Sequence, residues 1–260
     1  MNGLFVSFRF LLLMFLAFSV ATPLFSQDEE PCDQEEDPRA FSSEFRTDGC
    51  RWRTRFLAHR ADNPYWPMEP GWQVVLEGED DGEEVRVEIT VLQEFKRVAG
   101  VRTRVIEERE FIDGELYEIS RNYFAICAAT NDIYYFGEDV DFYEDGEVIG
   151  HDGSWLAGVD GAVAGIYMPG TPLLGARFYQ EVAPHIAEDR AEVVDMGSIQ
   201  VGDQWFENAV MFHETSPLDG PCAISTKVYV AGIGMVQDDN LTLVEAGYQF
   251  RIANEAPFKQ

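Results

Sequence analysis

Histidine, cysteine and clustered carboxylates are the residues of this chain that could do chemistry, and their spacing decides which kind. His59, His151, His185 and His213 are scattered. None forms an HxH or HExxH pair, so a transition-metal site would have to be assembled wholly by the fold. His185 is the best candidate for a general base, because Glu188 and Asp189 follow within one helical turn and could orient its imidazole. Ser154, in Gly153-Ser154-Trp155, lacks the flanks of a nucleophile elbow, and no GxSxG occurs. The competing reading of each histidine is a surface or hydrogen-bonded side chain.

Glu138, Asp139, Asp141 and Asp145 stand close together in sequence. Calcium takes six to eight oxygen ligands, which clustered carboxylates and backbone carbonyls supply, so these four are the candidate metal site and calcium the one cofactor suggested. Their spacing is not that of an EF-hand. With 47 Asp and Glu residues in the chain, such a cluster also arises without any metal. Tyr65, Trp66, Trp155, Tyr167 and Met168 are the candidate ligand-binding residues, as an aromatic-lined pocket. A glycosidase would need two carboxylates about 5–9.5 Å apart beside such a platform, and no pair stands out. Gly232-Ile233-Gly234 lies between strand-like runs, without the helix of a dinucleotide motif.

The elements that must position these residues begin after an export signal. Met1–Arg9 is a short basic lead and 10–20 an apolar run, followed by small residues at Ser19 and Ala21 and again at Ser26. Residues 1–26 therefore read as a signal peptide, and the protein as secreted or periplasmic; an uncleaved anchor is the alternative. No later segment has the length and hydropathy to span a bilayer. Residues 27–50 form an acidic, flexible lead-in, and 51–260 a single β domain.

Four cysteines in an exported chain point to disulfides. Of the three pairings four cysteines allow, the most local joins Cys32 to Cys50 and Cys127 to Cys222, with buried free thiols as the alternative for the second pair. Net charge is −28, with lysine only at 96, 227 and 259. That balance repels nucleic acid and anionic membranes, and suits a soluble protein in salty surroundings. The basic run Arg51–Arg60 is the exception; it reads as an anion site or as partners for the protein's own acids.

Alternation marks the strands. Val85, Val87, Ile89 and Val91 form one apolar face with Glu84, Arg86 and Glu88 opposite, and Asp113-Gly114 is a hairpin signal between two further alternating runs. Asn63–Gly71, with three prolines, is a rigid turn segment. Gly158–Gly175 reads as a long ordered loop and Ala183–Ala191 as the one short helix. The expectation is an all-β, single-domain protein of about ten strands, a curved antiparallel sheet forming a half-barrel or a two-layer sandwich.

The ordered motifs NPYWPMEPGW, DGELYE, YYFGEDV, GSWLAGVDGAVAGIYMPGTPLLG, AEDRAEV and VYVAGIGMV resemble those of a family of uncharacterised secreted bacterial all-β proteins. The resemblance covers roughly Asp62 to Val236 and implies an antiparallel β fold and export, with no particular activity. Ile126-Cys127-Ala128-Ala129 departs from it, standing where a polar turn is expected. The function these features suggest is an exported, non-enzymatic binding or envelope-associated protein holding a small or lipidic ligand. The alternatives are a secreted hydrolase using His185 with a neighbouring carboxylate, and a calcium-stabilised extracellular structural protein.

Overall fold

The computed structural model describes residues 41–43, 45, 47, 49–54, 63–219 and 223–249. The expected signal peptide (residues 1–26), Cys32, Cys222, His59 and most of the segment 27–50 lie outside these residues. The strands are β1 (Trp52–Arg53), β2 (Trp72–Asp80), β3 (Glu83–Val98), β4 (Val101–Ile112) and β5 (Glu115–Cys127). They continue with β6 (Ile133–Glu144), β7 (Glu147–Gly150), β8 (Trp155–Leu156), β9 (Val163–Met168), β10 (Arg177–Tyr179) and β11 (Glu181–Val182). The last are β12 (Arg190–Val201), β13 (Gln204–Thr215), β14 (Ile224–Val230), β15 (Gly234–Asp238) and β16 (Leu241–Tyr248).

Thirteen of them form one antiparallel sheet that curves through 320° into a nearly closed barrel. Its order is β10-β12-β13-β14-β15-β16-β2-β3-β4-β5-β6-β9-β11. The two ends of this path belong to one stretch of chain. Arg177–Tyr179 pairs with β12 and, after Gln180, Glu181–Val182 pairs with β9. Two-residue turns with positive φ at both positions join the central strands, at Asp81-Gly82, Ala99-Gly100, Asp113-Gly114 and Asp145-Gly146. That geometry matches the twist of the strands it connects. The expected apolar face of β3 is the buried one, with Val85, Val87, Ile89 and Val91 all inside the main core.

Three expectations are corrected. The first concerns Gly158–Gly175, which is not a loop throughout, because Val163–Met168 is a strand paired with β6 and β11. The second is the helix at Ala183–Ala191. This segment is a tight turn closed by the Ala183–Ala187 bridge, with His185 at φ 65° and its N–H donated to Glu188. Arg190 and Ala191 already belong to β12. The third is the disulfide pattern: Cys50 bonds Cys127, which excludes both Cys32–Cys50 and Cys127–Cys222. The reason is the short β1, which lies antiparallel to the end of β5 with Trp52 opposite Cys127 and so carries Cys50 to its partner, Cα–Cα 4.9 Å. A structural disulfide belongs to an oxidising, extracytoplasmic compartment. Where the lead-in is described it is tied down, since Ser42 bridges Phe178 in β10.

Candidate binding site

The barrel interior is built around aromatic rings. Asn63 starts the arrangement: its side-chain amide donates to the carbonyls of Asn131, Met168 and Pro169, while its carbonyl accepts the Tyr65 N–H at 3.0 Å. This pins the proline-rich turn across the sheet and delivers Trp66 into the core, 5% exposed. Trp66 then meets Tyr167 at 4.8 Å, Phe124 at 5.6 Å and Tyr229 at 6.0 Å between ring centroids. Phe124 stacks on Tyr135 at 4.8 Å, Tyr135 meets Trp155 at 5.2 Å, and Tyr229 leads on to Phe212 at 5.4 Å. The register shift of β9 against β6, between Met168 and Ile166, falls at Tyr167; a bulge of this kind re-aims a side chain.

Trp66, Trp155 and Tyr167 are thus brought together, with Met168 fully buried and Tyr65 packed against the same core. They pack against one another in the main core. The space left among Trp66, Glu108, Asn122, Phe124, Tyr135 and Tyr167 is about 20 Å³, room for one water. Among the described residues Trp66 Nε1 has no acceptor, which suits a water there.

Between and beyond the rings the interior is acidic. Glu108 and Glu110 on β4, Glu118 on β5, Glu138 on β6, Glu181 on β11, Glu214 on β13 and Asp238 on β15 act on one another electrostatically, and Glu214, Asp238 and Glu108 also face Lys227 on β14. Lys227 Nζ is 3.0 Å from Glu214 and 3.6 Å from Asp238. Burial alone would lower its pKa, but Asp238 and Glu214 outweigh that and raise it well above the usual lysine value. Burial lifts Glu108 to about 8, against the pull of Lys227, and lifts Glu138 to about 8, against hydrogen bonding from Tyr135. Burial, then Asp238 and Asp80, lifts Glu110 to about 7; Asp238 itself is lifted by burial to about 6. Glu118 and Glu181 are raised well above the carboxylate range, again first by burial. Hydrogen bonds knit this layer: Tyr135 donates to Asn122 at 2.5 Å, Asn122 to Ser120 at 3.0 Å and Gln180 to Glu214 at 2.8 Å.

Of these acids only Glu138 was singled out from the sequence, and there as a metal ligand rather than as a buried acid. The signal was there in register: Glu108 shares the parity of Ile106, and Glu214 that of Val210 and Phe212, all buried positions. Acids that are ordinary by composition become unusual by alternation.

The other expected site residues stay apart. Glu138 points into the barrel, Asp139 binds Lys96 and the Tyr123 hydroxyl, Asp141 binds Arg121 and His151, and Asp145 sits in the β6–β7 turn. Among the described residues no group of three or more His, Cys, Asp or Glu side chains is placed to hold a metal. His185 is exposed and joins Glu188 through its backbone N–H rather than its imidazole. Asp189 donates its backbone N–H to Glu181 at 2.9 Å. Ser154 accepts the Val140 N–H through its hydroxyl, a structural contact. Arg53, from the basic run, donates to the Asn131 side chain.

A large open cleft lies elsewhere, at the end of the sheet where β3 begins, β4 ends, β5 begins and β6 turns into β7. Its volume is about 1070 Å³. Ile112, Leu116, Tyr117, Phe142, Tyr143 and Ile149 give it an apolar and aromatic lining, with Tyr117 edge-on to Phe142 at 5.6 Å. Comparison with protein-family models, with curated proteins and with solved structures found no match.

Proposed function

We propose that this is an exported, non-enzymatic binding protein: a β-barrel stiffened by its own aromatic core that takes a small organic ligand in the cleft between its β4–β5 and β6–β7 hairpins. The observation that carries this reading is the cleft itself, of ligand size and walled by buried rings beside exposed aliphatic side chains. It moves the expected pocket from Trp155, Tyr167 and Met168, of which Trp155 and Met168 are buried and Tyr167 half-buried among other rings, to Tyr117, Phe142 and Tyr143. Export rests on the leader and on the Cys50–Cys127 bond, the kind kept in secreted and periplasmic proteins.

The test is uptake of a neutral apolar dye such as Nile red. Saturable fluorescence enhancement is expected. Ile149→Ser, at a side chain 62% exposed and therefore safe for the fold, should weaken it about fivefold, the loss of one aliphatic contact. Dye that does not saturate, or that ignores the Ile149 substitution, would sink the reading.

A further inference from the structure

We propose that the ligand of this cleft is an organic cation, an amine or quaternary ammonium carrying an apolar body. The inference rests on the cleft being the ligand site and adds its chemical class. Three features of the lining select that class together.

The first is charge. Six carboxylates, Glu83, Asp113, Glu115, Glu144, Asp145 and Asp152, line the cleft, and among the described residues its lining holds no lysine, arginine or histidine. A fatty acid or phosphate would enter against all of them and against a molecule of net charge −28. The second is the aromatic wall. Tyr117, Phe142 and Tyr143 are among the lining residues, Tyr117 packing edge-on to Phe142, and a cation over such a ring gains about 0.5–2 kcal/mol that a neutral or anionic group does not. The third is what lies alongside. In the pairing register Glu110 stands opposite Glu118 and Glu118 opposite Phe142, so two further carboxyls come on the strands beside that ring.

The same features argue against a bare metal ion. The six carboxylates come from the start of β3, the β4–β5 turn, the β6–β7 turn and the segment after β7, spread around a wide rim. Calcium needs its oxygens within about 2.6 Å of one point. An ammonium on an alkyl or aryl body needs only a diffuse negative rim and an apolar wall, and this lining supplies both.

Calorimetry with three probes that share an octyl chain separates the possibilities: octyltrimethylammonium, octyl glucoside and octanoate, each below its micelle concentration. The cation should bind about tenfold more tightly than the neutral probe, and octanoate more weakly than either. Raising NaCl to about 0.5 M should shrink the cation's advantage and leave the neutral probe unchanged. Glu115 and Glu144 are both exposed, so the double variant Glu115→Gln/Glu144→Gln should fold normally. It should cost the cation about fivefold and the neutral probe nothing. Equal binding of cation and neutral probe, unmoved by the double variant, would overturn the cation assignment while leaving the cleft as a ligand site. Displacement of the cation by calcium beyond that by magnesium at equal ionic strength would replace it with a metal site. Binding of none of the three would remove both the assignment and the site.

Discussion

Glu138 shows how far a single side chain can be displaced from its solution behaviour here. It is 5% exposed, with Tyr135, Trp155, Asp189 and Glu108 facing it, and its pKa lies near 8. The fold therefore prefers the protonated carboxyl, whereas the unfolded chain ionises it near the ordinary value of 4.5. Its contribution to stability is intact below about pH 4.5 and is lost as pH climbs through about 8, because over that window the folded form holds a proton the unfolded form has released. Glu138→Gln keeps the shape and removes the titration. Thermal melts should show the variant equal to the parent at about pH 5 and more stable by about 1–2 kcal/mol near pH 8.5, a few degrees in Tm. A variant that is less stable at the higher pH would mean that the carboxylate is wanted ionised. Lys227 has the opposite logic: Asp238 and Glu214 beside it outweigh its burial and raise its pKa well above the usual lysine value.

At the scale of elements, the barrel depends on a few places where backbone approaches backbone. Gly165 on β9 is one, since a Cβ there would overlap the carbonyl oxygens of Gln180 and Tyr179 at the join of β10 and β11. Gly165→Ala should force that join apart and cost about 1–3 kcal/mol, with faster amide exchange along Val163–Met168. Gly247→Ala, where a Cβ meets nothing within 4 Å, is the matched control and should be close to neutral. If both variants melt alike, the join is softer than its geometry implies. The same contact explains what the sequence hid. Alternation in Val85–Val91 and the Asp-Gly turns made β2 to β5 legible, because those strands carry their own period and punctuation. β9 did not, because a strand that needs Gly165 for close approach looks like a glycine-rich loop. The turn after β11 looked helical because Ala, His, Ile and Glu suit a helix, but His185 takes a left-handed conformation that ends any helix at once. The disulfide could not be read from spacing, since it depends on a two-residue strand docking against the far end of β5. The candidate cleft was missed for a related reason: its lining comes from two hairpins, and only the paired sheet puts Tyr117 beside Phe142.

For the molecule as a whole, two populations of acid must be kept apart. Lys and Arg number 19 against 47 Asp and Glu, and several of the cations are committed to pairs, as in Arg86 with Glu77 and Glu88 or Arg177 with Glu192. The surplus on the surface repels itself, and folding crowds it. Salt screens such charges at a range of about 10 Å or less, but acts less on buried carboxyls such as Glu138 and Glu181. The midpoint of thermal unfolding at about pH 8 should therefore rise as NaCl goes from about 0.01 M to about 0.5 M, and magnesium at equal ionic strength should act alike. The gain from Glu138→Gln at the same pH should persist at the higher salt, because it comes from desolvation rather than from long-range repulsion. If salt abolished that gain, Glu138 would be titrating as a surface group and the account of its burial would have to be given up. If calcium raised the midpoint where magnesium did not, the rim carboxylates would be drawing together around a metal, and the cleft would have to be read as a calcium site.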